Sequence, residues 1–189
     1  MQGREIIVGV CGGVAAYKTA ALVSQLVQAG AGVTVVMTPA AGEFIGTATF
    51  AALTGRPVAQ RIFEEGRYPL GAHIELARMA ELICIAPATA DLMAKAAHGL
   101  ADDLLSTLLL SFSGPVLMAP AMNTEMWAKP AVQRNVSQLR ADGVHFVGPG
   151  AGWLSCRDVG QGRMSEPAEI AKAVRALLDT RRPEGQKRV

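Results

Sequence analysis

The sequence predicts an α/β fold, a three-layer doubly wound parallel sheet in a single domain. Short apolar runs rich in β-branched residues alternate with longer segments in which apolar residues recur at helical spacing. This alternation is typical of parallel strands joined by right-handed crossovers that cover both faces of a sheet. The chain has 189 residues, of which 50% are hydrophobic and 18% charged, so it can bury a full core and is not disordered.

Five segments are predicted to be strands because they are short, apolar and bounded by Gly or Pro. The first ends at Gly12-Gly13, and the third and fourth end at Pro87 and Pro120. The predicted strands are residues 5–11, 32–37, 81–86, 114–119 and 143–147.

The segments between the strands show helical periodicity. Residues 148–166 contain five glycines, so we expect no regular element there. The predicted helices are residues 14–29, 42–53, 72–80, 91–110 (with an interruption near Gly99), 130–142 and 167–178. This order of elements is of the Rossmann-like or flavodoxin-like kind.

Charge and composition exclude several classes of protein. Residues 1–180 form the predicted domain and carry 14 basic and 15 acidic side chains, which gives no electrostatic case for nucleic acid binding. Residues 181–189 form a basic tail that we expect to be disordered. No apolar stretch is long enough to span a membrane, and three scattered cysteines do not form a disulfide framework, so we expect a cytoplasmic protein.

The unusual residues follow the strands, where ligands bind in open α/β sheets. The turn Cys11-Gly12-Gly13 leads into a helix whose free N–H groups could bind a phosphate. Its spacing is not the dinucleotide fingerprint, and Thr38 rather than an acidic residue follows the second strand. A mononucleotide therefore fits this turn better than NAD, although a turn without a ligand remains open.

Two further strand ends carry polar groups. Thr89, within the run APATAD, could hydrogen-bond a flat heterocycle or a phosphate. Asn123, within PAMNTEMW, could bind a carboxylate, or could simply cap a helix.

The glycine-rich segment after residue 147 contains Cys156 between Trp153 and Arg163. Such a loop could fold over a ligand as a lid, and its thiol could donate a proton. His73 begins a predicted helix and could reach a pocket or lie in solvent. Cys11 and Cys84 lie within predicted strands and are expected to be inert core thiols.

Taken together, these motifs resemble the homo-oligomeric flavin-containing cysteine decarboxylase family over roughly residues 5–178. The run from Gly9 to Lys18, the His73 helix, APATAD, PAMNTEMW and GWLSCRDVGQGRM occur in the order found in that family. PAMNTEMW and the cysteine loop are the specific elements. Many bacterial relatives carry a second, ligating domain after this one.

The resemblance implies decarboxylation of 4′-phosphopantothenoylcysteine to 4′-phosphopantetheine in coenzyme A synthesis, with FMN as cofactor. In that chemistry FMN oxidises the substrate thiol to a thioaldehyde, CO2 leaves, and the enethiol is reduced again without net redox change.

The resemblance also implies a role for each matching residue. His73 would assist the oxidation, Asn123 would hold the substrate carboxylate, and Cys156 would protonate the enethiolate. Trp153, Leu154 and Ser155 would cover the substrate. The implied flavin contacts are Gly12, Gly13, Val14, Thr38, Ala88, Thr89, Ala90, Asp91 and Met122.

Family members bind FMN between the subunits of a trimer, in some cases within a dodecamer, so the same assembly is expected here. Asp91 departs from the Asn that many relatives have at this position, and an ionised carboxylate would repel a flavin phosphate. We therefore expect Asp91 to use its backbone N–H or to face a ribose hydroxyl.

Three other functions share this fold. A peptidyl-cysteine decarboxylase would use the same chemistry on a C-terminal cysteine. A flavin prenyltransferase would lack both PAMN and the loop cysteine, which are present. A non-catalytic FMN-binding regulatory subunit would carry long acidic extensions, which are not seen in this sequence.

Overall fold

The computed structural model describes residues 1–63 and 66–180; the predicted tail, 181–189, lies outside the described residues. Five parallel strands form one sheet in the order β2-β1-β3-β4-β5. Their bounds are β1 Glu5–Val10, β2 Gly32–Met37, β3 Leu82–Ala88, β4 Val116–Pro120 and β5 His145–Phe146. The predicted α/β class and flavodoxin-like order are confirmed.

Helices cover both faces of the sheet, which gives the predicted three layers. They are α1 Ala16–Gln28, α2 Thr47–Thr54, α3 Ala72–Met79, α4 Ala90–His98, α5 Leu104–Ser111, α6 Thr124–Ala128, α7 Pro130–Ala141 and α8 Pro167–Asp179. One buried cluster joins α1, α2 and α8 to the sheet, and a second joins α3, α4, α5 and α7 to its other face.

Most element boundaries agree with the sequence prediction, and the exceptions have local causes. The segment 42–53 divides into a 3₁₀ helix, Pro39–Glu43, and α2. β3 and β4 continue to Ala88 and Pro120, and the register of their pairing shifts between Ile85 and Ala88. Pro87 lacks the N–H that a regular ladder needs, so the strand passes it only with that shift.

The prediction that residues 148–166 form no regular element was wrong. Gly150–Trp153 (β6) and Val159–Arg163 (β7) pair as an antiparallel hairpin. Three of the glycines that argued against a strand lie where the hairpin packs closely against other groups. A side chain at Gly162 would collide with the carbonyl oxygen of Met122. The hairpin therefore lies directly on the segment that follows β4.

Candidate active site

A cavity of about 650 Å³ opens where β1, β3 and β4 end, and the hairpin forms its other wall. It brings together residues from four separate segments that the sequence analysis singled out. The predicted site residues in its lining are Gly12, Gly13, Val14, Thr89, Ala90, Met122, Asn123, Trp153, Leu154, Ser155 and Cys156.

The two glycines after β1 have different roles. A Cβ at Gly12 would lie 2.6 Å from the Cβ of Ala40 and 2.8 Å from its backbone, so Gly12 serves packing. A Cβ at Gly13 would meet nothing within 4 Å. Since no side chain caps the first turn of α1, the space beside Gly13 suits a phosphate.

Thr38 lies beside this turn, although it is not part of the cavity lining. Its backbone N–H donates to the carbonyl of Val10 at 3.0 Å. Its Oγ1 is buried and has no hydrogen-bond partner among the described residues. Because a buried hydroxyl without a partner is costly, this atom fits contact with a ligand. Thr38 and the Gly13 turn together fit a mononucleotide phosphate.

The segment after β3 offers small residues and one polar cap. Thr89 Oγ1 accepts the backbone N–H of Leu92 at 3.3 Å and so caps α4. Ala88 is fully buried and lies outside the cavity lining. The Asp91 carboxylate also lies outside it and pairs with Lys95 at 3.2 Å. Lys95 also contacts Asp102 at 3.0 Å, so it offsets only part of the negative charge that we expected to repel a phosphate.

Asn123 caps helix α6, and this fixes the orientation of its amide. Its Oδ1 accepts the backbone N–H of Met126 at 2.9 Å. Nδ2 carries the two amide hydrogens and has no acceptor among the described residues. The two roles considered for Asn123 are thus compatible, since the oxygen caps the helix while the NH₂ group can donate to a carboxylate.

The hairpin is held in place by bonds to the Asn123 segment and by its own turn. The N–H of Met122 donates to the carbonyl of Gly162 at 3.0 Å. At the tip, Leu154 N–H donates to Asp158 O and Arg157 N–H to Leu154 O, each at 2.9 Å. This tight turn presents Cys156 to solvent at the mouth of the cavity.

The three cysteines differ sharply in their environments. Cys11 and Cys84 are buried, and burial raises the pKa of each thiol to about 12, so both remain neutral. Cys156 is exposed and lines the cavity. It is therefore the thiol that could exchange protons with a bound ligand.

Sequence reasoning assigned no role to three charged residues in the lining: Lys18, Arg163 and Glu166. The Nζ of Lys18 lies 2.8 Å from Glu166 Oε1, and the Arg163 guanidinium contacts the same oxygen. Hydrogen bonding from Lys18 is the main cause that lowers the pKa of Glu166. Lys18 and Glu166 are 148 positions apart, so no local pattern could reveal the pair.

His73 is the catalytic candidate that the cavity of a single chain does not include. It lies in the first turn of α3, where Ser111 Oγ donates to its carbonyl at 3.4 Å. Its Nδ1 is buried without a hydrogen-bond partner in the part of the chain that the structure describes. The described residues therefore do not bring His73 together with the other candidate site residues.

Neither a metal site nor a membrane span is found in residues 1–63 and 66–180. No group of three His, Cys, Asp or Glu side chains there could hold a metal ion. No helix within those ranges combines the length and the apolar character needed to cross a bilayer.

Known proteins with similar sequences are curated as coenzyme A biosynthesis proteins. The Coenzyme A biosynthesis bifunctional protein CoaBC of Haemophilus influenzae is 44% identical over 174 residues, covering 92% of this chain and 44% of the relative. CoaBC of Bacillus subtilis is 46% identical over 172 residues, with coverages of 91% and 42%. The chain thus spans less than half the length of these relatives.

Solved structures with the same fold include several decarboxylases. A PPC decarboxylase mutant complexed with pantothenoylaminoethenethiol has a TM-score of 0.84 and 29% identity, covering 94% of this chain and 100% of that one. The FMN-dependent cysteine decarboxylase SpaF has a TM-score of 0.82 and 35% identity, with coverages of 95% and 97%. The resemblance inferred from the motifs is confirmed.

The family described as Flavoprotein matches residues 1–179, nearly the whole chain. The parallel sheet, the open space at Gly13 and the buried Thr38 hydroxyl agree with that match. This chain therefore belongs to the Flavoprotein family.

Proposed function

We propose that this chain decarboxylates 4′-phosphopantothenoylcysteine to 4′-phosphopantetheine, with FMN as cofactor, in coenzyme A synthesis. One observation carries the proposal: a single cavity joins an uncapped helix start, the free amide of Asn123 and the exposed thiol of Cys156. The CoaBC relatives at 44–46% identity support coenzyme A synthesis as the pathway. The free thiols and this pathway support a cytoplasmic location.

FMN, when bound, would supply a reversible two-electron oxidation of the substrate thiol. Gly12, Gly13 and Val14 would place backbone beside its phosphate, and Thr38 would donate from its buried hydroxyl. Small residues at the ends of β3 and β4 would leave room for the ring. The remaining proposed contacts are Ala88, Thr89, Ala90, Asp91 and Met122.

The chain's own side chains would position the substrate and move protons. Asn123 Nδ2 would donate to the carboxylate that is lost, and Cys156 would return a proton to the decarboxylated product. Trp153, Leu154 and Ser155 would cover the substrate and exclude water. The Trp153 side chain is 63% exposed in the single chain, which leaves it available for such a contact.

We infer that the active assembly is a trimer, or a dodecamer built from trimers. A partner subunit would complete the site, because His73 lies outside the cavity of its own chain. Exposed apolar side chains surround the mouth of the cavity, and their burial between subunits would be favourable. They are Val14, Tyr17, Met126 and Trp153.

The proposal is tested by supplying 4′-phosphopantothenoylcysteine to the flavin-loaded protein without added reductant. CO2 and 4′-phosphopantetheine should appear in equal amounts. A folded, yellow protein that consumes none of this compound would exclude the proposed activity.

The second candidate is decarboxylation of another cysteine compound, such as a peptide ending in cysteine. It is favoured because the chain is more similar to SpaF, an FMN-dependent cysteine decarboxylase, at 35% identity, than to the PPC decarboxylase structure, at 29%. A peptide ending in cysteine, used in the same assay, separates the two. Faster turnover of the peptide than of phosphopantothenoylcysteine would replace the first proposal with the second.

A further inference from the structure

Three charged side chains on the cavity wall have no role in the reaction proposed above. Lys18 comes from α1, Arg163 from the end of β7, and Glu166 immediately precedes α8. Both cations contact the same oxygen, Oε1 of Glu166. Since no other charged side chain of the described residues lines the cavity, its wall carries a net charge of +1.

The arrangement is held by packing as well as by charge. The Lys18 side chain is only 13% exposed, and a lysine so buried needs a partner. The Arg163 side chain crosses Gly152, where a Cβ would lie 2.9 Å from its Nη1. Gly152 therefore leaves the space that the guanidinium occupies.

Both cations keep hydrogen-bond donors that Glu166 does not use. A guanidinium has five N–H donors and an ammonium has three. Glu166 is the only acceptor of either side chain among residues 1–63 and 66–180. The remaining donors belong to a fixed pair of cations beside the substrate cavity, which is the chemistry that binds phosphate.

We infer that Lys18 and Arg163, positioned by Glu166, form a phosphate-monoester subsite that selects the phosphorylated substrate. This inference rests on the proposed function and names the specificity determinant of the same cavity. A phosphate monoester carries about −1.5 to −2 charges at neutral pH. It would therefore offer the two cations more negative charge than the single carboxylate of Glu166 does.

The cofactor also has a phosphate, but two observations assign the subsite to the substrate. The uncapped start of α1 and the Thr38 hydroxyl already fit the cofactor phosphate. Arg163 belongs to the same hairpin as Cys156, the residue proposed to act on the substrate. The arm that joins the cysteine of the substrate to its phosphate is long and flexible, so the subsite need only face the same cavity.

The test compares kcat/KM for phosphopantothenoylcysteine and pantothenoylcysteine in the flavin-loaded protein. The unaltered chain should prefer the phosphorylated compound by tenfold or more, roughly the effect of one charge-assisted hydrogen bond. Arg163→Gln should remove most of that preference, because it should lower kcat/KM for phosphopantothenoylcysteine and leave kcat/KM for pantothenoylcysteine unchanged. Arg175→Gln, on the exposed surface of α8, is the matched control and should keep the preference.

Several results would overturn the inference. One is an equal kcat/KM for both substrates in the unaltered chain. Another is an equal loss of kcat/KM for both substrates in Arg163→Gln. Weaker binding of FMN but not of riboflavin in Arg163→Gln would assign the cations to the cofactor. If Arg163→Gln does not fold, Lys18→Gln provides the same comparison, and Arg163→Lys, which keeps the charge, should retain part of the preference.

A binding measurement separates failure of this inference from failure of the proposed function. If neither substrate is decarboxylated, the proposed function is wrong. Competition between 4′-phosphopantetheine and pantetheine for the flavin-loaded protein would still test the subsite. Equal affinities of the two compounds would exclude a phosphate subsite there.

Discussion

The Oδ1 atom of Asn123 accepts the backbone N–H of Met126 at 2.9 Å, which leaves Nδ2 as the group available to a ligand. Asn123→Asp should retain the cap, because Asp caps helices as well as Asn does. It also replaces the NH₂ donors with a charge that repels a carboxylate. We predict an unchanged thermal midpoint and a loss of decarboxylation of at least about a hundredfold, measured by CO2 release.

Asn123→Ala serves as the contrasting variant. It removes both the cap and the donor, so it should lose activity and about 1 kcal/mol of stability. Full activity in Asn123→Asp would show that the amide does not hold the carboxylate.

The two glycines after β1 should respond differently to alanine. Gly13→Ala should fold normally, because its Cβ would enter open space, but it should weaken FMN binding by occupying the proposed phosphate position. Gly12→Ala should lower the unfolding midpoint, because its Cβ would press on Ala40. Flavin fluorescence titration and urea unfolding measure the two effects. Unaltered FMN affinity in Gly13→Ala would argue against a phosphate at that turn.

His73 and Cys156 should complement each other across subunits. If each site takes His73 from one subunit and Cys156 from another, His73→Asn and Cys156→Ser should each fail to form 4′-phosphopantetheine alone. Oligomers assembled from a mixture of the two should regain part of the activity, because some sites then contain both residues. Absence of recovery in verified mixed oligomers would place both residues in the site of one chain.

Stability should depend on pH through the ion pair of Glu5 and Arg56. Arg56 donates to the two carboxylate oxygens at 2.6 and 2.9 Å, and this hydrogen bonding lowers the pKa of Glu5 below 4.5. Because the folded-state pKa is the lower one, the stabilisation is present above pH 4.5 and is lost as the pH falls through the folded-state value. Partial exposure limits its size to about 0.5–1 kcal/mol.

Urea unfolding of Arg56→Gln across this pH range measures that contribution. The variant should be less stable than the unaltered chain at pH 7, and the difference should shrink below pH 4.5. Arg134→Gln, on the exposed face of α7, is the control and should change little. A difference that stays constant down to acid pH would exclude the ion pair as its cause.

The sequence predicted the sheet and most helices because their signals are local. Apolar runs bounded by Gly or Pro mark β1 to β4, and helical periodicity marks α1, α7 and α8. The ends of the strands then located the cavity, since ligands bind at that edge of parallel sheets.

The features that the sequence did not predict depend on contacts between distant segments. Position 162 requires glycine because the carbonyl of Met122, 40 positions earlier in the chain, lies against it. That contact is not visible in the sequence, so the glycine seemed to exclude a strand. Glu166 joins Lys18 to Arg163 only after α1 and the hairpin have packed together. The proposed position of His73 in a site shared between subunits could not follow from any pattern in one chain.

The most direct test of the account is the product that Cys156→Ser forms from 4′-phosphopantothenoylcysteine. Because the exposed thiol is proposed to return the last proton, the flavin-loaded variant should release CO2, keep its flavin reduced and form one enethiol per flavin. This enethiol is two hydrogen atoms lighter than 4′-phosphopantetheine by mass spectrometry. Formation of ordinary 4′-phosphopantetheine at the rate of the unaltered chain would contradict the proposed role of Cys156. A Cys156→Ser protein that folds, binds FMN and releases no CO2 at all would contradict the proposed order of steps.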